Sequence, residues 1–354
     1  MYLTLEGAGM ELIPVGALRR KGTLGHAFKK IRYRLMSKDY HRERDPLLLR
    51  YYAEQVGEAL KEIDCDAVFS PGTIPLSFLE TEKPTVFWTD STFAGLVGYY
   101  PEFSNLCEET IRNGNEVEQS ALSRCTLALY ASEWAAEGAV SNYDVDSKKV
   151  KVVPFGAWYR DDWDEGRVAE LAEKKDLSVC RLLFVGVDWL RKGGDVAVAV
   201  AQDLNEQGIK TELDVVGCED PGGLPDFVKV HGFISRKTEE GKQKLEELFS
   251  SATFFILPTQ AECFGLVFAE ASSYGLPSLA VKTGGVPTAI REGVNGWTFP
   301  ADVQSAYYTS LIKDVLSSKE RYVGLARSCF REYAERLNFK AAGERIRSLM
   351  EEHC

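Results

Sequence analysis

Residues 258–287 read Pro258-Thr-Gln-Ala-Glu262-Cys-Phe264-Gly-Leu-Val-Phe-Ala-Glu270-Ala-Ser-Ser-Tyr-Gly275-Leu-Pro277-Ser-Leu-Ala-Val281-Lys-Thr-Gly-Gly-Val-Pro287. The apolar run before them, 252–257, is too short for a helix and rich in aromatic and β-branched types, which predicts a buried strand. Pro258 stops that strand, and a loop carrying Glu262 follows. The pattern then predicts a helix from about Phe264-Gly265, with Leu266, Val267 and Glu270 in its first turns. Gly275-Leu-Pro277 ends the helix, and residues 278–281 start the next strand. Such a strand–loop–helix–strand unit puts a helix N-terminus at the carboxyl edge of a parallel sheet. Free N–H groups and the helix dipole make that edge an anion site.

The spacing Glu262-x7-Glu270, followed by Gly-Leu-Pro and Gly-Gly-Val-Pro, resembles the E-x7-E signature of family 4 (group 1) retaining glycosyltransferases of the GT-B fold. The resemblance implies an α/β chain of two Rossmann-like domains facing a cleft. It further implies that Glu270 holds the ribose hydroxyls of a nucleotide-diphosphate sugar, that Glu262 faces the transferred sugar, and that the N–H groups of Phe264, Gly265 and Leu266 meet the diphosphate. Two glutamates at this spacing are common by chance. The preceding strand and the two Gly/Pro stops give the pattern its weight. A glycosidase acid/base pair fits poorly, because eight residues of helix rise about 12 Å, beyond the ~5–9.5 Å such carboxylates need.

The chain has 354 residues, a length that suits two domains. No run of about 18 apolar residues occurs, and the start lacks the basic-then-apolar plan of a signal peptide. Eight scattered cysteines without C-x2-C spacing predict reduced, mostly buried thiols of a cytoplasmic protein, and neither a disulfide frame nor a zinc site. The net charge of −11 argues against nucleic-acid binding. Residues 19–50 depart from this balance, with eleven Lys/Arg against three acids. Within them Phe28, Ile31 and Leu35 recur at helical spacing among basic residues. Two readings stay open: a helix on an anionic membrane surface, or a solvated helix that packs those three residues on its domain.

Four spans organise the chain: an acceptor-side domain over 1–157, a hinge over 158–178, a nucleotide-sugar domain over 179–336, and a helix over 337–354 that in this family returns to the first domain. Residues 1–9 resemble the end of a first helix, and 10–15 the second strand of a Rossmann-like domain. The first strand and its glycine-rich loop are not visible. Either the true start lies upstream or the element is lost, and the former is favoured because loss leaves a hole in the sheet. Asp45-Pro46 marks a helix start. The strand at 84–89 leads to Thr89-Asp90, where related enzymes often carry a histidine, and Asp90 becomes the acceptor-side catalytic candidate against a plain loop cap. Ser132 reads as an N-cap. Phe155 stands where the family's closing turn usually has asparagine. The charged stretch 159–178 predicts a structure-poor hinge.

In the second half, 181–186 predicts a strand ending in glycine, followed by Arg191-Lys192-Gly193-Gly194 and a helix. This is similar to the family's diphosphate-binding turn, so Lys192 is the expected neutraliser of the departing phosphates, with Arg191 and Gly193 beside it. The arginine usual five residues earlier is Val187 here. By the same resemblance the backbone near Ile234 meets the base, and His231 reads as a strand-end residue. Asn295-Gly predicts a hairpin-type turn. No Asp-x-Asp stands at a strand end, so the expected chemistry uses neither metal nor cofactor. The expected function is retaining transfer of a sugar, a hexose by preference, from a nucleotide-diphosphate donor to a glycan, lipid or small hydroxyl acceptor. Two alternatives remain: a nucleotide-sugar epimerase and a sugar-nucleotide-binding protein without transfer activity.

Overall fold

The computed structural model describes residues 1–20, 24–158 and 163–354. The chain divides into two compact units, Met1–Pro154 with Gly343–Cys354, and Phe155–Ala342.

The first unit is built on four parallel strands in sequential order: β1 (Val68–Ser70), β2 (Thr85–Thr89), β3 (Leu127–Tyr130) and β4 (Val150–Val152). β2 and β3 are apolar almost throughout and buried along their length, as strands covered on both faces must be. Around them lie α1 (Tyr2–Gly7), α2 (Leu24–Leu35), α3 (Pro46–Leu60), α4 (Phe93–Leu96), α5 (Glu108–Arg124) and α6 (Glu133–Asn142). Asp45 caps α3 by accepting from the Leu47 N–H at 3.0 Å, with Pro46 in the first helical position. Ser132 caps α6 in the same way. The core joins α3, α5 and α6 to the sheet through Leu49, Val117, Leu122, Ala139 and Tyr130.

One expectation fails in this unit, and one of the two readings left open for residues 19–50 is excluded. No strand forms over 10–15: among the described residues none precedes Val68, and Ile13 and Val15 are exposed. Pro14 between them has no N–H to give a ladder. On α2, Phe28, Ile31 and Leu35 do not pack on the unit, being 69%, 61% and 84% exposed. The helix is held by its polar face instead. Lys29 Nζ reaches Asp45 at 3.1 Å and Glu109 at 2.6 Å, and the Tyr33 hydroxyl donates to Glu109 at 2.8 Å.

Within α5, Glu118 is only 2% exposed and its Oε2 accepts from the Thr73 hydroxyl at 2.8 Å. Burial pushes its carboxyl up to about 7, against the opposing pull of Thr73, Arg44 and the Phe93 N–H. The folded state therefore keeps a proton that the unfolded chain releases near 4.5. The stabilisation is complete below that value and is lost as the pH rises through about 7. We expect the first unit to lose up to about 3 kcal/mol between pH 4.5 and 7 through this group. Denaturant melts of Glu118→Gln should show a flatter pH dependence than wild type, and equal slopes would refute the assignment.

The second unit holds six parallel strands in the order β10-β9-β8-β5-β6-β7. They are β5 (Cys180–Val185), β6 (Thr211–Val216), β7 (Val228–Val230), β8 (Phe254–Leu257), β9 (Ser278–Val281) and β10 (Gly296–Phe299). The helices are α7 (Glu165–Lys174), α8 (Trp189–Lys192), α9 (Gly194–Glu206), α10 (Glu239–Ser251), α11 (Leu266–Ser273), α12 (Val286–Ala289), α13 (Ser305–Leu316), α14 (Lys319–Glu335) and α15 (Phe339–His353). The last helix starts in this unit, and its portion from Gly343 onward belongs to the first. There Gly343 lies against α1, where a Cβ would come within 2.4 Å of the Thr4 carbonyl oxygen. Two parallel sheets, each with helices on its faces, give the α/β class that the sequence predicts.

Two more corrections belong here. The stretch read as a structure-poor hinge contains α7, capped by Asp164, which packs on α14. Val168, Ala169 and Ala172 supply its buried stripe, which the charged residues between them mask in the sequence. Residues 159–162 of that stretch lie outside the described residues. Asn295-Gly does not turn a hairpin, because β10 pairs with β9 in parallel. The Asn295 side chain is buried, donating to the Ala289 carbonyl at 2.9 Å and accepting from the Arg291 N–H at 2.7 Å. No disulfide forms among the described residues, and six of the eight cysteines are buried.

Candidate active site

Strand order in the second unit reverses between β5 and β8. Open parallel sheets bind ligands in the crevice at the carboxyl ends of such a pair. Two loops line it, 186–193 after β5 and 258–265 after β8. In the first, Asp188 caps α8 by accepting from the Arg191 N–H at 3.1 Å. Gly193 then turns the chain into α9 with φ of +80°. A Cβ there would come within 2.2 Å of the Pro258 carbonyl oxygen, so the absence of a side chain lets the two loops touch. The Gln260 N–H donates to the Arg191 carbonyl at 2.8 Å, and Arg191 Nη1 donates to the Ala261 carbonyl at 3.1 Å. Arg191 therefore fastens one loop to the other.

Lys192 is the next residue, and its ammonium pairs with the Glu262 carboxylate. The two side chains are only 13% and 14% exposed. Burial at this level leaves the pair weakly screened by solvent. Glu262 is positioned by the loop itself, whose carbonyl at that residue accepts from the Gly285 N–H at 3.0 Å. Three residues on, Gly265 adopts φ of +84° and starts α11 at Leu266. Phe264 is buried and meets the Phe155 ring edge-on at 5.8 Å. A ring so fixed sets the direction of the backbone at the helix tip.

Glu270 lies just over one turn into α11 and pairs with Arg236, whose Nη2 donates to Oε2 at 2.7 Å. Arg236 comes from the chain after β7, and so does Ile234. The ends of β5, β6 and β7 are stacked through glycines. The Gly217 N–H donates to the Gly232 carbonyl at 2.8 Å, and a Cβ on Gly217 would come within 2.5 Å of the Gly186 carbonyl oxygen. Beside Ile234, Phe233 is 79% exposed, a large aromatic face next to the expected base position.

The structure thus gathers Lys192, Gly193, Arg191, Glu262, Phe264, Gly265, Leu266 and Glu270 on two adjoining loops and the helix that follows. Val187, at the position of the family's arginine, is 71% exposed and carries no charge. His231, read as a strand-end residue, pairs with Asp214 at 2.6 Å across β6 and β7. Asp90 belongs to the first unit, in the loop after β2, with the Ser91 hydroxyl 3.4 Å away. Arg236 and Phe233 were not predicted. No spacing rule links Arg236 to Glu270, which is 34 residues away.

Residues 180–316 match the family model "Glycosyl transferases group 1". The match covers the greater part of the second unit. The loops of the crevice, Lys192 and both glutamates all fall inside it. The chain is similar to curated proteins called D-inositol 3-phosphate glycosyltransferase. That of Streptomyces scabiei is 37% identical over 51% of this chain and 44% of its own length. That of Corynebacterium efficiens is 24% identical over 71% and 60%. The chain thus spans less than two thirds of either relative. Among solved structures, Anabaena HepE in complex with UDP superposes with a TM-score of 0.63 at 16% identity, over 85% of this chain and 82% of that one. WaaG, a glycosyltransferase involved in lipopolysaccharide biosynthesis, gives 0.58 at 17% identity, over 88% and 85%. At these identities the likeness speaks for the fold alone.

Proposed function

We propose that the protein is a retaining glycosyltransferase that moves a sugar from a nucleotide-diphosphate donor to a hydroxyl acceptor without a divalent ion. The pairing of Lys192 with Glu262 in front of α11, with Glu270 just over a turn along that helix, carries this reading. Transfer develops negative charge on the leaving diphosphate and positive charge on the sugar ring. The Lys192 ammonium and the N–H groups at the start of α11 meet the first charge, and Glu262 faces the second. Glu270 accepts from the ribose hydroxyls once Arg236 yields it. A front-face path, in which the leaving phosphate takes the acceptor proton, gives retention without a strong protein base. The complexes of HepE with UDP and with UDP-glucose support a uridine donor. The test is a turnover assay of UDP-, GDP- and ADP-sugars against sugar and polyol acceptors, with anomeric configuration read by NMR. An inverted product, or donor hydrolysis that no acceptor redirects, would contradict the proposal.

The exposed face of α2 supports a second element of this reading, contact with an anionic bilayer. Phe28, Ile31, Leu35 and Met36 form one solvent-facing apolar stripe, with Lys30, Arg32 and Arg34 exposed around it. That is the composition of a helix lying in a lipid interface. Among the described residues no helix is long and apolar enough to cross a membrane. The protein should sediment with vesicles containing phosphatidylglycerol more than with neutral ones. Changing Phe28, Ile31 and Leu35 together to serine should cut the bound fraction at least fivefold, and unchanged sedimentation would remove the idea.

A further inference from the structure

Glu270 is fully engaged in the free protein. Arg236 meets it as a fork, with Nη1 on Oε1 and Nη2 donating to Oε2 at 2.7 Å, so each carboxylate oxygen has a guanidinium partner. The backbone beneath the arginine is fixed. The Lys237 N–H donates to the Ser235 hydroxyl at 3.2 Å, and Thr238 caps α10 by accepting from the Gly241 N–H at 3.2 Å. A Cβ on Gly241 would come within 1.9 Å of the Ser235 carbonyl oxygen, so the chain just before Arg236 lies against the first turn of α10. The side chain itself is less confined. It is 53% exposed, against 22% for that of Glu270. A path into water is therefore open to the guanidinium, while the carboxylate keeps its place on α11.

A guanidinium fork and a vicinal diol make the same demand on a carboxylate, two hydrogen bonds with one to each oxygen. Glu270 cannot meet both at once. We propose that Arg236 is an internal competitor for the ribose: it occupies Glu270 in the free protein, and a nucleotide must displace it to bind. This rests on the donor reading above, in which Glu270 takes the ribose hydroxyls, and adds the residue that sets how tightly they are held. The magnitudes allow it. A bidentate pair is stronger than a single contact, yet its exposure to solvent keeps it near the modest worth of surface ion pairs. A ribose can displace such a pair, at a cost that lowers the affinity for donor and spent nucleotide alike. The weakening helps the product leave, a step that limits turnover in many enzymes.

The test is calorimetric titration of UDP, GDP and ADP, and of the 2′,3′-dideoxy form of whichever binds best, into the full chain as wild type, Arg236→Met, Arg236→Lys and Glu270→Ala. Removing a supporting contact weakens binding, whereas removing a competitor strengthens it, so the sign decides. We expect Arg236→Met to bind the ribonucleotide about threefold or more tightly than wild type. The dideoxy nucleotide makes no claim on Glu270, and its Kd should stay within about twofold. Arg236→Lys keeps the charge without the fork and should gain less; it carries the test if the methionine variant does not fold. A ribonucleotide Kd unchanged or weaker in the Arg236 variants, or an equal gain for the dideoxy form, would overturn the proposal. Glu270→Ala separates it from the donor reading. Equal affinity in wild type and Glu270→Ala, or no binding of any of the three bases, defeats that reading and the competitor with it. Binding weakened by Glu270→Ala but not tightened by Arg236→Met defeats the competitor alone.

Discussion

Lys192→Ala is expected to lower kcat at least ~100-fold, the scale on which a single preorganised donor to a developing anion acts. In the proposed reaction this residue meets the departing diphosphate at the tip of α11, and its ammonium pairs with Glu262. The loss should fall on kcat more than on the donor KM, because the phosphate charge grows as the glycosidic bond breaks. Truncation also strips Glu262 of its counter-ion, and some stability goes with it. Lys192→Met separates the two effects, since it keeps the apolar stem that lies along Gly186. A folded Lys192→Met protein with wild-type kcat would remove the ammonium from the chemistry.

Gly193→Ala should be the more damaging change to the structure. The residue has φ of +80°, and a Cβ would sit 2.2 Å from the Pro258 carbonyl oxygen. The left-handed conformation alone costs an L-residue about 1–2 kcal/mol. The overlap adds to it by pushing apart the loops that hold Lys192 and Glu262. Gly208→Ala is the natural control, with φ of +82° and nothing within 4 Å of its Cβ. Gly208→Ala should cost about 1 kcal/mol, Gly193→Ala at least twice that together with a tenfold or greater loss of nucleotide affinity. Equal melting points for the two variants would show that the Pro258 contact is not a constraint.

What could be read from the sequence, and what could not, follows from the range of the interactions. The β8–α11–β9 unit was legible because strand, stop, helix and stop all lie within 30 residues and each carries a local signal. The glycine turn at Gly193 was legible for the same reason. The Lys192–Glu262 pair joins residues 70 apart, and only the strand reversal brings them together. The missed helix α7 hid an Ala/Val stripe under charge, and Pro14 denied residues 10–15 the ladder that their apolar neighbours suggested. Asn295 carried the dipeptide of a hairpin turn, yet its side chain closes the α12–β10 connection from inside. On α2 the apolar periodicity was visible, but not its direction. Asp45 and Glu109 decide that, by holding Lys29 and turning Phe28, Ile31 and Leu35 outward.

The central claim is that the tip of α11, with Lys192, grips a diphosphate while Glu270 on the same helix secures the pentose. Calorimetric titration of UDP into the wild-type chain and into Glu270→Ala tests it most directly. Hydrogen bonds to a charged group are worth about 1.5–3 kcal/mol, so the account predicts one site per chain and an affinity roughly tenfold or more weaker in the variant. The same Kd in both proteins would contradict it.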